Sequence, residues 1–66
     1  MKIKVNGKII ETNDGEMLSG IIAGKKLDAG KILASLNKDI IKNEDFAETI
    51  LKEADEVELF CFVSGG

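Results

Sequence analysis

Histidine and tyrosine are absent from this chain, proline is absent, and Cys61 is the one cysteine among 66 residues. Each absence excludes something. Without histidine or tyrosine, and with no Asp/Glu pair tied by spacing to a nucleophile, the usual parts of acid–base or triad catalysis are missing. One cysteine and no histidine cannot assemble a zinc site. An internal disulfide is impossible, so a reducing cytoplasm is the expected home. The acidic run Glu53, Asp55, Glu56 and Glu58 lacks the spaced glycine and oxygen ligands of a calcium loop and reads as a solvated face. Gly20 and Gly24 lack the strand–loop–lysine context of a phosphate-binding loop. No apolar run reaches transmembrane length, and "MKIKVNG" carries neither a long apolar stretch nor a small-residue cleavage site, so secretion and membrane insertion are not expected.

What is present is a globular balance, 44% hydrophobic and 32% charged, which marks a folding chain and not a disordered one. Sixty-six residues allow one domain, expected over 1–66, whose compact core hides about 60% of the open chain's surface and leaves no room for a large substrate pocket. The net charge is −3 and the lysines are scattered, against the basic face that nucleic acid would require. Proteins or small molecules are the expected partners.

Along the chain, "KIKVNGKIIE" alternates, meets Asn6-Gly7, and resumes with Ile9 and Ile10. Asn-Gly supplies the positive φ angles of a type I′ turn, which predicts a hairpin. After the "TNDGE" break, Leu18, Ile21 and Ile22 fall at helical spacing and predict a helix from about Met17 to Lys26, held by packing because Gly20 and Gly24 each cost roughly 1 kcal/mol in propensity. Those two glycines share one face, which reads as close approach either to a partner or to the helix's own sheet, and the second is the expectation. "LDAG" reads as a loop. "KILASLN" reads as a strand, with Ile32, Ala34 and Leu36 on one face and Leu33 and Ser35 on the other. A turn at Asn37-Lys38-Asp39 precedes a short edge strand at Ile40 and Ile41. In "NEDFAETILKEAD", Asn43 is the expected cap of a short helix or helical turn with Phe46, Ile50 and Leu51 on one side.

"EVELFCFV" alternates without a fault: Val57, Leu59, Cys61 and Val63 on one face, Glu58, Phe60 and Phe62 on the other. The aliphatic set is the better core candidate, and Cys61 is expected as a small inward residue, since nothing nearby in sequence would lower its pKa. Phe60 and Phe62 then form an apolar pair on the opposite face beside the chain end, the composition of a docking patch; the other reading is a second core beneath the "NEDFAETIL" segment. Beyond the strand stand Ser64, Gly65 and Gly66. At an average glycine usage of about 7%, two such glycines are a chance event of order half a per cent. A terminal glycine bears a carboxylate with no side chain at its α-carbon, so it can be threaded into a narrow site and attacked at its carbonyl.

Hairpin, helix, strand, short edge strand, helical turn and a last strand running into Gly-Gly resemble, in that order, the ubiquitin-like β-grasp sulfur carriers, and the length fits best the ThiS-like thiamine branch. The specific matches are "DGEML", "LNKDII", "ILKEADEVELF" and the closing "GG". Ala54 stands where the family usually has glycine, Lys42-Asn43 replaces a common Pro-Arg pair, and Ser64 precedes the diglycine where Ala or Gly is frequent. The resemblance implies an α+β fold, a ubiquitin-like β-grasp with a mixed four- to five-stranded sheet, one main helix on one face and the last strand parallel to the first. It also implies a carrier with no catalytic residues and no cofactor or metal of its own, a monomer when free. A ubiquitin-activating-like adenylyltransferase would use ATP to adenylate the Gly66 carboxylate, with Ser64 and Gly65 in its channel. A sulfur donor system, a cysteine desulfurase or similar, would convert the adenylate to a thiocarboxylate, and thiazole synthase would accept the sulfur. Phe60 and Phe62 would touch one of these partners. The alternatives are a carrier for another sulfur pathway, such as the small subunit of molybdopterin synthase, a ubiquitin-like modifier of lysines, and a plain β-grasp interaction domain.

Overall fold

Alternation in "KIKV" puts Ile3 and Val5 on one side of the first strand and Lys2 and Lys4 on the other, and the computed structural model, which describes residues 1–61, buries the first pair and exposes the second. This strand, β1 (Lys2–Val5), pairs antiparallel with β2 (Lys8–Glu11), bringing Val5 opposite Lys8 and Ile3 opposite Ile10. The connecting Asn6 and Gly7 have φ of 52° and 82°, the two positive angles that a type I′ turn demands.

The helix α1 spans Leu18–Gly24, shorter than the predicted Met17 to Lys26. Met17 is extended and bridges Ile50, so it caps the helix instead of joining it. At the other end Lys26 takes φ 59°, its N–H donates to Ala23 O at 3.0 Å, and Leu27 N donates to Ile22 O at 3.2 Å. These are the two bonds of a Schellman stop, with lysine at the left-handed position where glycine is usual. Gly20 and Gly24 do not approach the sheet as expected. Both are exposed; a Cβ at Gly20 would come within 2.6 Å of the Glu16 carboxylate, and one at Gly24 would meet nothing within 4 Å. Gly20 therefore makes room for Glu16, whose Oε1 accepts from Met17 N at 3.1 Å.

A 3-10 turn at Ala29–Lys31, in which Asp28 accepts from Gly30 N at 2.9 Å, leads into β3 (Ile32–Leu36) and the edge strand β4 (Asp39–Ile41). A second 3-10 segment, Asn43–Glu48, follows. Its cap position is Lys42, with no side-chain bond, so Asn43 is the first residue of the turn and not its cap. Phe46 and Leu51 enter the core, whereas Ile50 is 55% exposed, because the chain has left the helical turn by Thr49 and extends towards Met17.

The last described strand, β5 (Glu56–Cys61), lies in the middle of the five-stranded sheet, in the order β2-β1-β5-β3-β4. It runs parallel to β1 and antiparallel to β3, the mixed β-grasp arrangement expected. Val57 and Leu59 point into the core with Ile3, Val5, Ile32 and Ala34, and Leu18, Ile21 and Ile22 of α1 cover them. Cys61 shares their side of the strand but is exposed, a departure from its expected core position, because it pairs with Ile32 at the rim of the sheet.

Ala54 at the entry to β5 has φ 71°, and its N–H donates to Lys2 O at 2.8 Å. A left-handed alanine costs roughly 1–2 kcal/mol, part of which glycine's greater freedom in the unfolded chain offsets. Ala54→Gly is expected to raise stability by about 0.5–1 kcal/mol, read as a higher urea midpoint at unchanged slope. Leu59→Ala is expected to cost about 2–5 kcal/mol in the same assay.

Candidate functional site

Only one face of the sheet carries the helix. On the other, the outward residues of the paired strands form a continuous surface: Lys4 beside Glu56, Ser35 beside Glu58, and Leu33 beside Phe60. The charged part of this surface lies towards the start of β5, where Lys4 Nζ stands 3.5 Å from Glu56 Oε2, an exposed pair of little consequence for stability. Ser35, although on this face, is buried, and its hydroxyl donates to Glu58 Oε1 at 3.4 Å.

Towards the end of β5 the surface turns apolar. Phe60 is 51% exposed and sits directly across from Leu33, which is 46% exposed. Ile40 of β4, 64% exposed, pairs with Ser35, which makes it a diagonal neighbour of Leu33 on the same face. The segment 43–51 does not cover this patch, since Phe46 and Leu51 pack into the core. Phe60 thus belongs to an exposed surface and not to a second core. Alternation had put Leu33 on this face; that it and Ile40 join Phe60 is fixed by cross-strand register. The other expected site residues, Phe62, Ser64, Gly65 and Gly66, lie outside the described residues. Among the described residues no group of three or more His, Cys, Asp or Glu side chains converges as a metal site would require, and no helix is long and apolar enough to cross a membrane.

The sequence and the fold both have known counterparts. Residues 3–66 match the ThiS family over nearly the whole chain. The chain belongs to the ThiS family. The crystal structure of the thiamine biosynthesis protein ThiS from Geobacter metallireducens superposes with a TM-score of 0.84 at 28% identity, covering all of both chains. A solution structure of a thiamine biosynthesis protein from the same organism gives 0.77 at 28% identity, covering all of this chain and 87% of that one. A thiazole synthase of Magnetococcus marinus is 29% identical over 66 residues, all of this chain and 20% of that protein. This chain therefore spans about a fifth of the length of that relative. Like the ThiS crystal structure, it is a mixed five-stranded sheet with one main helix.

Because Phe60 is half exposed and its cross-strand partner is the likewise exposed Leu33, Phe60→Ala is expected to lower stability by about 1 kcal/mol or less, well short of Leu59→Ala. Urea denaturation of the two variants side by side checks the difference.

Proposed function

We propose that this chain is a sulfur carrier acting in the cytoplasm for the thiazole moiety of thiamine, a co-substrate of partner enzymes and not itself a catalyst. The observation that carries the reading is the match to the ThiS family through the closing Gly-Gly, in a chain without histidine or tyrosine and with a single cysteine. The Gly66 carboxylate attacks the α-phosphorus of ATP on a ubiquitin-activating-like adenylyltransferase, and pyrophosphate leaves. A carboxylate oxygen is a poor leaving group until AMP is attached; the terminal sulfur of a persulfide on a desulfurase-type donor then adds to the carbonyl carbon and AMP departs. A thiol reductant cleaves the S–S bond of the acyl persulfide, forming a disulfide with the donor sulfur. The resulting thiocarboxylate is a soft nucleophile at neutral pH. Ser64 and Gly65 carry no bulk that would obstruct the adenylyltransferase channel. ATP belongs to that enzyme, and the carrier holds no cofactor.

Thiazole synthase is the acceptor in this reading. A thiazole synthase that contains a stretch similar to this entire chain supports it, since linking a carrier to its acceptor raises their effective concentration. Phe60, with Leu33 and Ile40 around it and Phe62 beyond, supplies the apolar contact for the adenylyltransferase or the synthase, and the mixed-charge part of the face supplies register.

Incubation with the cognate adenylyltransferase, ATP and a sulfur donor is expected to exchange one oxygen for sulfur at the C-terminus, read by intact mass. Deleting Gly66 is expected to abolish the exchange and leave the fold unchanged, because glycine has no side chain to bury. Phe60→Ala is expected to weaken partner binding by more than about 1 kcal/mol. An unmodified wild-type chain, beside a family member converted by its own enzyme, would falsify the carrier reading. Conjugation to lysines would favour a protein modifier, and sulfur transfer to molybdopterin synthase in place of thiazole synthase would reassign the pathway.

A further inference from the structure

In the parallel ladder between β1 and β5, β1 donates twice: Lys4 N to Asp55 O and Asn6 N to Val57 O, each at 2.9 Å. In a continuing parallel ladder the next rung would place a peptide of β1 against Leu59, its carbonyl accepting from Leu59 N and a following N–H donating to Leu59 O. The backbone has turned away by then, since Asn6 takes φ 52° and leads into Gly7. The side chain of Asn6 takes up the position instead. Leu59 N donates to Asn6 Oδ1 at 2.8 Å, and Asn6 Nδ2 donates to Leu59 O at 3.4 Å. A side-chain amide has the donor and acceptor of a peptide, and here it substitutes for one.

This substitution sits where β5 loses support on one edge. In register, β1 accompanies β5 only as far as Val57, whereas β3 accompanies it to Cys61. Past Val57, the Asn6 amide is the contact that fastens the β1 edge of the strand leading to residues 62–66. We propose that Asn6 is a positioning residue for the C-terminal segment: its amide clamps Leu59 and orders the end of β5 before the adenylyltransferase takes hold of it. The inference rests on the carrier reading. Asn6 touches no reacting atom, and a strand already held on both edges has less conformational freedom to lose on binding. Its loss therefore falls on KM and not on kcat.

The test uses the full chain with Asn6→Gly and Asn6→Asp. Glycine adopts φ near 52° freely, so Asn6→Gly preserves the hairpin turn and removes only the amide; Asn6→Asp keeps an acceptor for Leu59 N. Amide hydrogen exchange and adenylation kinetics by pyrophosphate exchange are measured on each. In Asn6→Gly, exchange at Leu59 is expected to accelerate while Ile3 and Val57 are unchanged, and KM for the carrier is expected to rise about three- to tenfold at constant kcat. Asn6→Asp is expected to recover most of both effects. An unchanged KM in Asn6→Gly, with Leu59 exchange accelerated, overturns the positioning role; unchanged exchange at Leu59 overturns the clamp itself. Should the wild-type chain not be adenylated at all, the carrier reading fails and the positioning role with it, while the exchange rates still decide whether the clamp exists.

Discussion

The structure depends on β5 fitting between β1 and β3. Without it the chain holds two separate two-stranded ribbons, β1 with β2 and β3 with β4, and an isolated ribbon of that size is marginal in water. Val57 and Leu59 carry the two ribbons into one core, and α1 closes over the seam. The local fastenings serve the same end. Asn37 accepts from Glu56 N at 2.9 Å through its side chain, and the Asp55 carboxylate accepts from Lys52 N at 2.8 Å and from Asn37 Nδ2 at 3.0 Å. The start of the central strand is thereby pinned from the turn between β3 and β4, as its far part is from the hairpin between β1 and β2.

The turns that deliver strands to this sheet use backbone conformations that side chains resist. Asn6, Lys26, Asn37, Lys38 and Ala54 all have positive φ. Asparagine tolerates that region because its short amide bonds locally, and at Asn6 and Asn37 the amide reaches β5. Lys26 and Ala54 have no such compensation, so their turns are held by what flanks them: Leu27 packs against the core after the helix stop, and Ala54 N is bonded to β1.

Much of this was legible in the sequence for reasons local to it. Asn6-Gly7 specifies one hairpin turn, and strict alternation in β5 separates Leu59 from Phe60 whatever lies around them. The rank of Ala54 as an unusual residue came from the resemblance, and its positive φ supplies the physical reason. What was not legible depends on partners distant in sequence. Ile50 follows the helical pattern of its segment, yet bridging to Met17 turns it outward. Cys61 obeys the alternation but lies at the sheet's rim, where facing the core no longer means being covered. The patch of Leu33, Ile40 and Phe60 needed the register of β3 on both its neighbours, and the use of Asn6 as a stand-in peptide needed the position of β5 against β1; neither is encoded in a short window. Propensity rules also put the end of α1 too late, because lysine is a poor indicator of a left-handed stop.

The strand that joins the two ribbons is also the last described strand, which ties the integrity of that part of the chain to the integrity of the core. An exopeptidase that trims past the glycines and into β5 removes the residues joining the two ribbons, and the remnant opens. Opened chains are cleared by proteolysis as their population rises. A copy trimmed into β5 is therefore eliminated and does not linger as a folded fragment. A fold whose last strand lay at the edge of its sheet would lack this safeguard, since it could lose that strand and keep the rest of its core.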